Sequence, residues 1–349
     1  MKLEPYIPER VLCKQANYLL CYYKGEIIVK DANGKETINK KRINSRVQGN
    51  NLIGRLLRYE PRAAVAVSDG EFIFSCHGKI YNYSVSENNV KKEHEFIVGM
   101  SNPLSFCVRK DAEGNIIEVL YGEYTQNPEK KTVSIYSRRE GLWQCAFEFP
   151  EKTIKHIHGI FDDVSRKRFL ILTGDDDSES GIWESDYSFV NVRRIVGGDQ
   201  KFRSCVLCSV LNNVFFATDT PLEQNGFYKF SIENEQVEKQ SDLPGPVIFG
   251  RRIGDKLFFS TSVEADSRLI GLRYFLSNKL GEGVKDRYSH LFFADRFGNV
   301  SEICKIKKDI YPLVLFGFGN MIFPSSDDDT VFVCPQSLKT RYGTYVISK

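Results

Sequence analysis

His156 and His158 stand two residues apart in KHIHGIF, an apolar run that reads as a strand, so their imidazoles project to the same side. Imidazoles paired in this way serve as bases, proton shuttles or ligands, and Gly159 just beyond them lets backbone or a ligand approach closely. One of the two could equally be a satisfied core histidine. Three carboxylates each follow an apolar run: Glu123 in YGEYTQN, Asp175 in TGDDDSES and Asp219 in ATDTPLEQN. Glycoside hydrolysis needs two carboxyl groups at a set separation, one protonated and one ionised. Taken singly, each could be a turn cap bonded to its own backbone. Three at equivalent places in a repeat point instead to a shared cavity.

Arg62, Arg203 and Arg251 precede or lie in other apolar runs, and each offers a planar fork suited to a carboxylate or phosphate. A uronate or sialic-type acid could be held this way, or the arginines could pair with Asp175 and Asp219 as salt bridges between structural units. With an arginine on the carboxylate, a second chemistry opens: β-elimination on a uronide, in which His156 or His158 takes the proton and Tyr124 protonates the leaving oxygen. The HIH pair with a nearby carboxylate also has the donor types of a zinc or manganese site, but two histidines do not complete one, and no cofactor is assigned. The chain carries no GxSxG, phosphate loop or HExxH, and GFGN at 317–320 runs into strand-like MIFPS rather than a helix.

What positions these residues is a repeat. From Pro61 onward the chain falls into segments of about 45–60 residues, the size of four-stranded propeller blades. Six units are visible, beginning AAVAV, LSFCVRK, HIHGIFDD, CVLCSVL, VIFGRRI and LVLFGFG. Runs rich in Val, Ile, Phe and Tyr separated by NG, DG, EG and GN turns are what stacked antiparallel meanders require. The expectation is an all-β fold, a single β-propeller domain over 1–349 with about six four-stranded blades at 61–349. Residues 1–60 hold a hairpin, YLLCYYKGEIIVKDANG, that either closes the last blade or makes a partial seventh. A pair of β-sandwiches is the competing architecture. Helical spacing is confined to 51–59.

In a propeller the first strand of each blade lines the central channel, and the loop leading into it shares a face with the loop between strands two and three. Starts of first strands contribute Arg62, Asn102, His156, Arg203 and Arg251; loops after second strands contribute His77, Glu123, Tyr124, Asp175, Asp219 and Asn225. Residues 263–288 interrupt the fifth unit at the same kind of loop, and an insertion of this size is expected to fold over that face as a lid, partly helical at 269–276.

Turns between third and fourth strands read SRREGLW (137–143), SDYSFVNV (185–192) and ADRFGNV (294–300). These resemble the Ser-x-Asp-x-Gly-x-x-Trp Asp-boxes of sialidase-like propellers, at the equivalent place in three units. The first lacks the Asp and has its Trp one position early, and the other two lack the Trp. The resemblance implies a propeller fold, with the boxes as structural turns remote from any active site. A sialidase-type site would use three arginines, a Tyr with a Glu partner and an Asp. No residue-by-residue correspondence carries that activity over.

Lys and Arg number 48 against 45 Asp and Glu, a net charge of +3, too little for counterion-driven nucleic-acid binding. The densest basic stretch, Lys40, Lys41, Arg42 and Arg46 with Arg55, Arg58 and Arg62, reads as a solvated loop. Residues 1–10 lack a secretory pattern, and no apolar run is long enough to span a bilayer, so a cytoplasmic protein without membrane contact is expected. Nine cysteines spread over the chain fit reduced thiols, and Cys205 and Cys208, three apart on a strand, should point to opposite faces rather than form a zinc knuckle. These observations together lead to an intracellular propeller that binds an acidic sugar or glycan and could hydrolyse it. Uronide elimination and a non-catalytic interaction scaffold are the alternatives. Oligomeric state is open.

Overall fold

In the computed structural model, which describes residues 1–43, 54, 56–57, 59–97 and 99–348, the strands form seven antiparallel four-stranded blades, with Ser325–Ser326 added in parallel to the first strand of blade one and Met100–Ser101 paired with Tyr124–Thr125 outside them. The ring has one blade more than the six repeats legible from Pro61 onward. The N-terminal segment supplies a full blade of its own, Arg10–Gln15, Tyr18–Tyr23, Glu26–Asp31 and Thr37–Arg42. It also does the other thing expected of it, because Lys2–Ile7 pairs antiparallel with Thr344–Ser348 and becomes the outer strand of blade seven. LVLFGFG at 313–319, read as a first strand, is not one; blade seven begins at Asn320–Ile322, followed by Phe332–Gln336. The helical spacing at 51–59 and the basic residues Arg46, Arg55 and Arg58 fall largely or wholly outside the described residues.

Blades two to six follow the repeat. Their first, channel-lining strands are Ala64–Ser68, Cys107–Lys110, His156–Asp163, Ser204–Val210 and Val247–Ile253. Each continues into a second strand that is almost wholly buried, such as Phe72, Ile73 and Phe74 in blade two or Val214, Phe215 and Phe216 in blade five. A strand buried on both faces loses its alternation and reads as a continuous apolar run, which is why the second strands were the clearest signal in the sequence. The core is a ring of wedges between neighbouring blades. Phe227 of blade five stacks on Phe259 of blade six with 5.4 Å between centroids, and Phe149 of blade three meets Trp183 of blade four at 5.1 Å.

First strands of blades one, four, five and six each carry a bulge near their start, between Val11 and Cys13, Ile157 and Gly159, Ser204 and Val206, and Val247 and Phe249. A bulge inserts one residue and reverses the facing of all that follow. Cys205 is such a residue, so Cys205 and Cys208 pack in one apolar cluster rather than on opposite faces. All nine cysteines are unpaired. No helix among the described residues is long and apolar enough to cross a membrane.

The three Asp-box-like turns divide. Asp186 accepts from the backbone of Ser188, Val190 and Asn191, and Asp295 from Phe297 and Asn299. SRREGLW instead turns on Glu140 and Gly141, both at positive φ (51° and 82°). The aspartate device also closes turns at Asp31 and Asp111, outside the three motifs. It is therefore a general way of ending hairpins here, and the turns support the propeller without a sialidase-like assignment.

Candidate functional site at the channel mouth

Blade four begins at His156, and the bulge that follows makes His158 its extra residue. Two apart on a locally kinked strand, the rings lean together until their Nε2 atoms are 3.0 Å apart. Each Nδ1 reaches a flanking blade: His156 to the carbonyl of Thr125 at 2.9 Å, His158 to the carbonyl of Ser204 at 2.9 Å. Both side chains are buried. Asp175, from the loop after the second strand of the same blade, brings Oδ1 to 3.6 Å from each Nε2. Gly174 permits the approach, since a Cβ there would stand 3.1 Å from His158 Cε1 and 3.2 Å from Arg203 Cγ.

Arg203 leads into blade five and places Nη2 3.0 Å from Asp175 Oδ1, while Lys155 approaches Oδ2 at 3.6 Å. Gln200 holds the loop by donating to the Asp175 carbonyl at 2.8 Å. Burial works to raise the Asp175 carboxyl, but the adjoining His156 and His158 and the charge of Arg203 outweigh it and hold the group well below the usual range. Arg203 is also charged more firmly than usual, because Asp219, Asp175 and Glu264 overcome its own desolvation. Its Nε is buried with no hydrogen-bond partner.

Asp219 lies one blade further round. Its Oδ2 accepts from the Cys205 thiol at 3.2 Å and its Oδ1 is buried without a partner. Burial, with Asp219 close by, pushes the Cys205 thiol well up, so it is a proton donor and not a thiolate. Tyr124 packs on His156 with 4.6 Å between centroids, and the Arg62 guanidinium lies 5.6 Å from the Tyr124 ring and donates to the Asn102 carbonyl at 3.3 Å. Burial raises the Tyr124 phenol, which is held neutral. Arg62 and Cys205 also line the central channel, a cavity of about 380 Å³.

Eight predicted residues therefore gather at one mouth: Arg62, Asn102, Tyr124, His156, His158, Asp175, Arg203 and Asp219. Four do not join them. Glu123 turns into its own blade and accepts from the Ser134 backbone at 2.8 Å, which leaves a hydrolytic acid–base pair without one of its three candidates. Arg251 sits in the later half of its strand rather than at the start and donates to the carbonyls of Pro324, Ser326 and Asp328. Asn225 is fully buried and ties Thr218, Thr220 and Gly283 together. His77 occupies an exposed turn at φ 51°, its ring 3.9 Å from that of Tyr59.

Glu264 was missed. It lies just after the second strand of blade six, is buried, accepts from Ser262 at 2.7 Å and feels Asp219 and Arg203. Desolvation and Asp219 push its carboxyl up to about 8. The rule that found Asp175 and Asp219, a carboxylate following an apolar second strand, fits Glu264 in FFSTSVE equally well. Two sets of ligand-type atoms converge here, His156, His158 and Asp175, and His158, Cys205 and Asp219. In the second set the Cys205 thiol is already engaged with Asp219 Oδ2.

The molecule is thus a seven-bladed β-propeller with a cationic, carboxylate-bearing cluster at one end of its channel. No family model matches the chain, and no curated protein does. Solved structures share the fold: oligogalacturonate lyase from Vibrio parahaemolyticus has a TM-score of 0.56 at 9% identity, covering 99% of this chain and 90% of that one. The extracellular domain of a protein described as a one component system from B. thetaiotaomicron gives 0.55 at 10% identity over 99% of this chain. This chain spans 39% of the length of that protein. At such identities the likeness is one of fold.

Proposed function

We propose that the channel mouth binds an acidic sugar or glycan, and that on a uronide it supports β-elimination. The observation that carries this reading is a pair of unsatisfied polar atoms in one buried cluster, Arg203 Nε and Asp219 Oδ1. Buried donors and acceptors are rarely left unpaired, and a sugar carboxylate with neighbouring hydroxyls matches both. Arg203, Arg62 and Lys155 supply cationic charge, and Tyr124 offers an aromatic face to a sugar ring. The name of the lyase with the same fold specifies an oligomer of acidic sugars, which agrees with the charge of this mouth.

Within that reading neither histidine is aimed at a substrate proton, because both Nδ1 atoms are committed to carbonyls and the Nε2 atoms are turned towards each other and Asp175. Asp219 Oδ1 is a carboxylate-type oxygen of the cluster with no hydrogen-bond partner. It would take the proton from the carbon next to the carboxylate, Arg203 would hold the enolate charge, and the neutral Tyr124 would protonate the leaving oxygen. Hydrolysis is less well served, since Glu123 lies elsewhere and Asp175 is ion-paired with Arg203 and Lys155.

Calorimetric titration with galacturonate oligomers and sialic acid, beside the ultraviolet absorbance of an unsaturated product, tests this. Arg203→Ala should weaken binding by about 1.5–3 kcal/mol, the worth of a charge-assisted contact. Asp175 retains Lys155 and partial exposure, so unfolding should ease by less than the ~3–5 kcal/mol expected for a fully buried orphaned charge. Large destabilisation together with no binding of any acidic sugar to wild type would defeat the proposal.

A further inference from the structure

The two histidines pose a problem of protons. A carbonyl oxygen can only accept, so the contacts to Thr125 and Ser204 fix a hydrogen on both Nδ1 atoms. A neutral imidazole carries one N–H, which leaves both Nε2 atoms as bare lone pairs. They point at each other across 3.0 Å and at the Asp175 carboxylate, itself only an acceptor, across 3.6 Å. With both rings neutral, three lone-pair donors converge in one pocket.

From this geometry we propose that His156, His158 and Asp175 bind a divalent transition-metal ion. A triangle with sides of 3.0, 3.6 and 3.6 Å has a centre about 2.0 Å from every corner, the distance at which zinc takes imidazole nitrogen and carboxylate oxygen. The outer contacts fit as well. Metal-bound histidines characteristically donate the other ring N–H to a backbone carbonyl or carboxylate, which fixes the tautomer that ligates. Here the flanking blades, three and five, each supply one such carbonyl, so the ring orientation is built into the closed architecture. Three protein atoms leave at least one coordination position open to water or to an anionic oxygen.

Arg203 is the ion's competitor. It donates to the same Oδ1 at 3.0 Å, and Lys155 lies near Oδ2. Affinity should follow the usual order for an N2O set, zinc above manganese. Replacing Arg203 by a neutral side chain should tighten it. The ion binds whether or not a sugar does, so this inference is separable from the proposed function.

The test uses the full chain, stripped with chelator and titrated with zinc sulfate or manganese chloride by calorimetry, with bound metal counted by mass spectrometry. One equivalent of zinc is expected; His158→Gln and Asp175→Asn should each lower its affinity at least tenfold, and Arg203→Met should raise it. Cobalt substitution in wild type gives a check that needs no variant, through visible d–d bands of a low-coordinate N/O site. Wild type that takes up no zinc, manganese or cobalt overturns the assignment. So do variants that bind zinc as wild type does, or nitrogen NMR of zinc-saturated protein showing a proton held between the two Nε2 atoms.

Discussion

Asp175 and Glu264 belong to one buried cluster and are driven in opposite directions. The first keeps its charge because the histidines and Arg203 lie against it, while the second is denied a charge by burial and by Asp219. This has a consequence for stability. Between the ordinary value of 4.5 and about 8, folded Glu264 holds a proton that the unfolded chain has released. Stability should therefore fall as pH rises through that window, since the folded state binds the extra proton. Asp175 adds no slope there, being ionised in both states. Glu264→Gln, which keeps an acceptor for Ser262, should flatten the fall and leave the variant about 1–3 kcal/mol more stable than wild type above pH 8. Chemical denaturation across the pH range measures it; a wild-type profile already flat between those values would dispose of the idea. At this scale the sequence was legible where a residue type and its place in the repeat sufficed, as for His156, Asp175, Arg203 and Asp219. It was not legible where orientation decided. Nothing in YGEYTQN says that Glu123 turns towards Ser134 while its neighbour Tyr124 faces the histidines.

At the scale of elements, the bulges determine what the first strands present. Period-two reasoning put Cys205 and Cys208 on opposite faces, and one inserted residue at the strand start undid it. A bulge has no sequence signature in KHIHGIF or RSCVLCS, and it forms because the strand must bend into the channel while its neighbour runs straight. The insertion after blade six's second strand was more readable, since its length alone set it apart. It packs on blade five: Gly283 donates to the Pro221 carbonyl at 3.0 Å and accepts from Asn225. Its short helix, Gly271–Leu276, leaves Ile270, Leu272 and Phe275 exposed. Six residues without a side-chain cap make a helix with little stability of its own. If this segment closes over the mouth, saturating acidic sugar should slow amide exchange across 268–278 while exchange in the outer strand Gln236–Leu243 stays constant. Equal protection with and without the sugar would mean that the insertion is a fixed part of blade five's surface.

For the whole molecule the question is what holds seven wedges in a ring. Each interface between blades is an apolar cluster, but the one between blades seven and one is joined by strands from opposite ends of the chain, and there a single side chain makes three bonds. Thr344 Oγ1, wholly buried, accepts from the Val11 backbone at 2.7 Å, donates to the Glu9 carbonyl at 2.8 Å and lies 3.4 Å from Cys334 Sγ. Nearby, Arg10 pairs with Glu60 at 2.9 Å with its guanidinium almost fully buried. The repeat predicts the blades but not how the ring closes, because a sequence read from one end cannot show that Lys2–Ile7 belongs beside residue 348. Thr344→Val keeps shape and volume and removes both backbone bonds, leaving the Val11 N–H and the Glu9 carbonyl buried without that partner. It should cost about 1–3 kcal/mol in equilibrium unfolding. The same change in an exposed hydroxyl such as Thr340 should cost under ~0.5 kcal/mol. Because a closed ring has to open somewhere before it unravels, the loss should fall mainly on the unfolding rate if closure forms late in folding. Unfolding kinetics of both variants decide it: a Thr344→Val protein that unfolds at the wild-type rate but folds more slowly would mean that the seam between the chain's two ends forms early and that the other blades assemble on it.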